Sequence, residues 1–391
     1  MFFAFSDDKT ISNEIKLDVE VERMQVREYT ISQVRYGNFQ LYVDGHELYE
    51  QLFHDIRQAK QFVYIHFYIV RKDEISRQFL QLLQEKALEG VTVKLSIDRL
   101  GGYKVKKKFI QELKKHGVQF TFSNTPQLKN FFKTLHHRNH RRIAVIDGKL
   151  CYIGGFNIGK EYLGKDSHLG VWRDYQMRIE GDGAEDMEEQ FVKDWYADTN
   201  EKLSLHHIFV EKGASAYRYI FTDGVGLWEQ YDQLFAQAKQ SIVIATPYFI
   251  PSKEMMNRIQ FAVQKGIQVK ILIPKKSDVL LFKQAAYPYL QQLLEFGAEI
   301  YRYEGGFFHG KVMLIDNDIV ITGTTNFDNR SFYLNAESNC FIYDKQVVRD
   351  VQEKLQEDFE KAIKLSAQDF VNISKWDWVI ARIANVISFY L

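Results

Sequence analysis

The chain has 391 residues, 46% hydrophobic and 15% aromatic, a globular composition in a chain longer than one hydrophobic core usually organises. Its 51 basic side chains balance 51 acidic ones, which argues against a protein whose main task is to coat nucleic acid, so no nucleic acid is expected as a partner. Two cysteines, Cys151 and Cys340, fit reduced thiols packed in a reducing compartment better than a disulfide or a metal site.

No uncharged apolar run approaches the roughly 18 residues a membrane-spanning helix needs. The start, MFFAFSDDK, has neither the basic leader nor the long apolar segment of a secretory signal, so the expected chain neither spans nor crosses a bilayer.

Residues 1 to about 30 mix charged and apolar side chains without a firm period and are read, to residue 37, as an N-terminal extension. From Asn38 the pattern sharpens. FQLYVDG predicts a strand entering a turn, and the helix after it carries Leu48, Leu52, Ile56 and Ala59 at helical spacing. QFVYIHFYIV is a β-rich run, ISRQFLQLLQEKALEG a helix ending at Gly90, and VTVKLSID a strand. Such alternation predicts a mixed sheet covered by helices. Gly101 to Arg142 is locally basic, with one cluster at Lys104 and Lys106 to Lys108 and another from His136 to Arg142. The first suits a solvated helix face; the second suits a cationic approach to an anionic substrate.

The second half replays the first. LFAQAKQSIVIATPYFIP matches LFHDIRQAKQFVYIHFYIV, KGIQVKILI matches EGVTVKLSI, and FGAEIYRY matches HGVQFTF. The expected division is a first lobe at 38–205 and a second at 206–365, with the boundary within 198–222. The tail, 366–391, reads as an amphipathic helix with Trp376, Val379, Ile380, Ile383, Ile387, Tyr390 and Leu391 on one face. That face suits either packing on the body or insertion into a membrane interface.

The repeat is tightest at HGKVMLIDNDIVITGTTN, His309 to Asn326. It recurs 169 positions earlier as HRRIAVIDGKLCYIGGFN, His140 to Asn157. Each copy supplies one histidine and one cation, His140 with Arg142 and His309 with Lys311, two apart and therefore on one side of a strand. Each continues to an aspartate, Asp147 or Asp316, grouped with the motif but better suited to fixing a turn than to chemistry. Each ends at a glycine-rich or threonine-rich turn and an asparagine: Gly155 and Asn157, Thr324 and Asn326.

Two imidazoles with these partners suit phosphoryl transfer. One attacks phosphorus and gives a phosphohistidine; the other donates a proton to the leaving oxygen. Arg142, Lys311, Asn157 and Asn326 suit the phosphate oxygens, with Gly155 and Thr324 beside them. A nucleophilic histidine needs a partner on its second nitrogen. Asp174, in WRDYQM, and Glu337, in LNAESN, are each placed to orient the histidine of their own half. His136, His137 and His140 lack a cysteine or carboxylate at ligand spacing, so no metal and no cofactor are expected.

The paired pattern His-x-Lys, four residues, Asp, six residues, Gly-Gly or Gly-Ser, x, Asn resembles the phospholipase D superfamily. RNHRRIAVIDG, GGFNIGKEYLG, WRDY, FVKDW, ATPYFIP, HGKVMLID and TNFDNRSFYLNAESN resemble bacterial cardiolipin synthases, over residues 38 to 360. The resemblance implies two phospholipase D-like α/β lobes about a pseudo-twofold axis. It also implies metal-independent joining of two phosphatidylglycerol molecules into cardiolipin with release of glycerol, with His140 as nucleophile and His309 as acid and base. Departures from the pattern are Arg142 for the usual lysine, His66 for a usual glutamate, Thr324 for a usual serine, and no N-terminal pair of membrane helices. The expected location is the cytoplasmic face of the membrane, held peripherally. Competing readings are a hydrolase of phospholipid or nucleic acid in the same superfamily and a degenerate lipid-binding homologue.

Overall fold

The computed structural model describes residues 28–386, apart from Leu280 and Asn372. The expectations for residues 1–27 and for Ile387, Tyr390 and Leu391 therefore lie outside the described residues.

Two copies of one seven-strand arrangement join edge to edge in a 16-stranded sheet. From its outer edge inward, the first lobe runs Gln119–Ser123, Thr92–Asp98, Phe62–Phe67, Ile143–Ile146, Leu150–Gly154, Gln176–Gly181 and Arg35–Tyr42. Inside an added antiparallel edge strand, Ala362–Lys364, the second runs Glu299–Tyr303, Gln268–Pro274, Ser241–Ala245, Val312–Ile315, Ile319–Gly323, Ala336–Ile342 and Ser215–Asp223. The first three of the seven strands in each lobe are parallel and the rest antiparallel, which is the mixed α/β fold expected. The lobes meet where Ser215 pairs with Gly37 and Tyr217 with Arg35. The joining strand starts at Arg35, before the expected Asn38, and Tyr29–Ile31 adds antiparallel to the second lobe's Thr222 to Ile220.

Local chemistry accounts for the helices. Asp44, Asp73, Ser252 and Asp344 each accept backbone N–H bonds in the first turn of the helices Gly45–Gln58, Glu74–Leu88, Lys253–Gln264 and Lys345–Glu360. Leu48, Leu52 and Ile56, picked out by their period, are buried. Phe62–Phe67 is buried throughout, as a strand covered on both faces must be. Each lobe has its own core, and a third core draws on both, packing Met177, Phe191 and Trp195 with Phe308, Leu314 and Val351. Between Thr199 and Ser215 the chain is irregular but anchored, with the His206 ring stacked on Phe62 at 4.0 Å.

Cys151 and Cys340 are buried free thiols. No helix among the described residues is long and apolar enough to cross a membrane. The terminal helix, Lys375–Val386, lies along Phe282–Phe296, with Ala381 buried, the Trp378 ring 6.5 Å from Tyr287, and Gln284 Nε2 donating to Asp377. The side carrying Trp376 and Val379 stays exposed, at 76% and 45%.

Candidate active site

Both histidines sit just before a short buried strand, His140 before Ile143–Ile146 and His309 before Val312–Ile315. What fixes each is backbone from the opposite lobe. Trp172–Arg173 pairs in parallel with Phe307–Phe308, and His309 N–H donates to the Arg173 carbonyl at 2.7 Å. Asn139 bridges in parallel to Ala336, and His140 N–H donates to the Ala336 carbonyl at 2.9 Å.

This pairing crosses the carboxylates. His140 Nδ1 lies 2.9 and 3.0 Å from the two Glu337 oxygens, and His309 Nδ1 lies 2.5 Å from Asp174 Oδ2. Glu337 and Asp174 do meet the histidines, but each serves the other half, not its own. The residue before each carboxylate is already bonded to the opposite lobe, so the side chain that follows points at that lobe's imidazole.

Tautomers follow from the partners. His140 Nδ1 faces a carboxylate and so carries the proton, while Nε2 accepts from an Arg142 N–H at 3.1 Å. Lys311 Nζ lies 3.0 Å from both His309 ring nitrogens and donates to the His309 carbonyl at 2.5 Å. Asn157 Oδ1 accepts from Ile69 N–H at 2.9 Å, which fixes the amide in the wall of the cleft. Asn326 Oδ1 is buried with no hydrogen-bond partner among the described residues.

Beyond this crossing, two placements need correction. Asp147 accepts from the N–H groups of Lys60, Gln61 and Phe62, and Asp316 from those of Lys239, Gln240 and Ser241. They pin the starts of the neighbouring strands, at the far end of a four-residue strand from the histidines, and take no part in the site. Gly155 donates its N–H to the Tyr175 carbonyl and Thr324 to the Ser338 carbonyl, so neither backbone is left for a phosphate. Both brace carboxylates instead. A Cβ on Gly155 would lie 2.0 Å from Asp174 Oδ1, and the Thr324 hydroxyl donates to Glu337 at 2.5 Å.

Sequence reasoning missed other groups. Tyr68 meets His140 edge-on at 4.9 Å, and Trp172 covers His309 at 4.8 Å while its Nε1 reaches Asp174 at 3.4 Å. Tyr248 lines the same cleft from the second lobe and donates to Asp278 at 2.6 Å. His66, in place of the usual glutamate, is buried between the Ser96 hydroxyl, 3.0 Å from Nδ1, and the Asn139 carbonyl, 3.3 Å from Nε2. Burial drops it to about 3, so it supports the His140 strand as a neutral ring.

Charge distinguishes the halves. Burial, then Arg142, Lys311 and His309, push His140 well below its ordinary value. Burial and Lys311 lower His309 too, but Asp174 opposes them. Burial pulls Asp174 upward, yet His309 and Lys311 outweigh it and hold the carboxyl below its usual range. Glu337 is raised to about 7 by burial, against the Thr324 hydroxyl and Arg142. Burial lowers Lys311 to about 7. His140 is therefore held neutral, its Nε2 lone pair turned to Arg142, while His309 more readily carries a proton.

His140, Arg142, Asn157, His309, Asn326 and Arg330 all line one cleft, whose free space, open mouth included, is about 2570 Å³. No cluster of side chains suited to a metal occurs among the described residues.

The family model described as "Cardiolipin synthase, PLD-like domain" matches residues 52–195 and 231–361. The minor cardiolipin synthase ClsB of Bacillus subtilis is 40% identical over 327 residues, 83% of this chain and 82% of that protein. A cardiolipin synthase of Listeria monocytogenes is 36% identical over 352 residues, 86% of this chain and 72% of its own. The crystal structure of phosphatidylserine synthase from Haemophilus influenzae superposes with a TM-score of 0.72 at 16% identity, over 96% of this chain and 100% of that one, a likeness of fold. The chain belongs to the cardiolipin synthase family of phospholipase D-like proteins.

Proposed function

We propose that the protein is a phosphatidyltransferase that makes cardiolipin and glycerol from two molecules of phosphatidylglycerol. The observation that carries this reading is the pair of crossed histidine–carboxylate contacts, each with its cation, on one cleft. His140 Nε2 attacks phosphorus and the bond to the glycerol oxygen breaks as His309 delivers its proton there. The hydroxyl of a second phosphatidylglycerol then attacks, His309 takes its proton, and the phosphorus–nitrogen bond breaks. Arg142, Lys311 and the Asn157 amide meet the charge on the phosphate oxygens. Burial of both imidazoles, at 8% and 6% exposure, limits the access of water that would turn transfer into hydrolysis.

The protein works as a peripheral membrane enzyme on the cytoplasmic face. Exposed Trp376 and Val379 on the terminal helix suit the lipid interface, and the free buried thiols suit a reducing compartment. Purified protein on phosphatidylglycerol vesicles is expected to yield cardiolipin and glycerol in equal amounts; phosphatidic acid without cardiolipin would make it a hydrolase. Acid-labile phosphate trapped on His309 rather than His140 would reverse the two roles. Trp376→Ser with Val379→Ser is expected to lower sedimentation with liposomes, and unchanged sedimentation would remove the helix from the membrane.

A further inference from the structure

Beside the cleft, in the second lobe, lies a pocket whose free space, open mouth included, is about 670 Å³. Phe249, Ile273, Ala286, Leu290 and Phe370 make it apolar. It opens on the cleft, because Ser277, Phe282 and Lys283 line both spaces. Phe282 stands at that junction with its ring 4.5 Å from Tyr248, which lines the cleft. The cations around the pocket are not equivalent. Arg302 Nε donates to Glu304 at 2.9 Å and Lys276 reaches the Leu169 carbonyl at 3.3 Å, but Lys283 makes no hydrogen bond or ion pair among the described residues.

We propose that this pocket takes one acyl chain of the phospholipid whose phosphate lies between the two histidines, with Lys283 facing the ester oxygens where the chain leaves the cleft. The inference rests on the phospholipid reading of the catalytic site and extends it. A phosphate that reaches buried imidazoles draws the first part of its tail out of the bilayer. Each methylene left in water would weaken binding about fourfold. An apolar channel continuous with the cleft removes that penalty, and the exposed Lys283 ammonium at its mouth suits the one polar stretch between phosphate and tail.

The test uses vesicles of phosphatidylglycerol bearing a diazirine at the end of one acyl chain. After irradiation, adducts are expected in peptides covering Phe282–Phe296 and Ala367–Val371. Ala286→Phe, which fills the pocket, should cut those adducts at least fivefold. It should also lower the ratio of kcat/KM for long-chain over dihexanoyl phosphatidylglycerol about tenfold. Adducts confined to other peptides, or equal losses on both lipids, would overturn the proposal; labelling of the unaltered protein decides it if Ala286→Phe does not fold. If the transfer reading fails instead, neither lipid yields cardiolipin while the labelling pattern stands.

Discussion

Asp174→Asn is the sharpest test of the crossed arrangement. Asp174 is buried, lies 2.5 Å from His309 Nδ1, and is the main influence holding that imidazole's proton affinity up. A hydrogen bond to a charged group is worth about 1.5–3 kcal/mol, so removing the charge should lower the His309 pKa by about 1–2 units and cut the acid-dependent step about 10–150-fold. The sign is fixed: with the anion gone, the protonated form loses its partner and is populated only at lower pH. NMR titration of the ring protons should therefore move His309 and leave His140 nearly in place. Glu337→Gln should do the reverse, since Glu337 contacts His140 Nδ1. Kinetics give a second readout. A p-nitrophenyl phosphodiester has a leaving group that needs no proton, so it should restore the rate of Asp174→Asn but not of Glu337→Gln. If Asp174→Asn shifts His140 and spares His309, the crossing is wrong.

Lys311 is lowered to about 7, so its charge is lost as pH rises through neutrality; KM for the anionic substrate should climb above pH 7, and Lys311→Arg should flatten that climb. Gly155→Ala would place a Cβ against the Asp174 carboxylate, and a displacement of that size should cost about 10²-fold in kcat with cooperative unfolding retained in a denaturant titration. Arg141 is buried and bridges Asp194 at 2.8 Å, Asp223 at 2.7 Å and the Thr222 carbonyl at 2.9 Å. Arg141→Leu should destabilise the fold by about 3–5 kcal/mol in urea unfolding, because it strands a buried carboxylate.

The duplicated motif was legible because each copy is contiguous: a histidine, a cation two residues on and an apolar strand follow from spacing alone. The alternation of strands and helices was legible for the same reason. The pairing of imidazoles with carboxylates was not, because Glu337 reaches His140 across 197 residues and Asp174 reaches His309 across 135, and both depend on strand pairing between lobes. Nearness in sequence favoured the wrong half. Gly155 and Thr324 misled differently. Their place in the motif suggested a phosphate cradle, but their amides are spent on sheet hydrogen bonds. Arg141 looked like part of a basic approach to substrate and instead holds the lobes together, since only its buried partners reveal which way it faces.

The exchange of carboxylates also bears on ancestry. A half-length progenitor would hold an imidazole with no acid to orient it, so it would gain function only as a twofold dimer trading those acids between copies. Tandem duplication would turn that dimer into one polypeptide and lift the demand that both halves stay identical. Arg142 opposite Lys311, and Gly155 opposite Thr324, are the divergence such freedom permits.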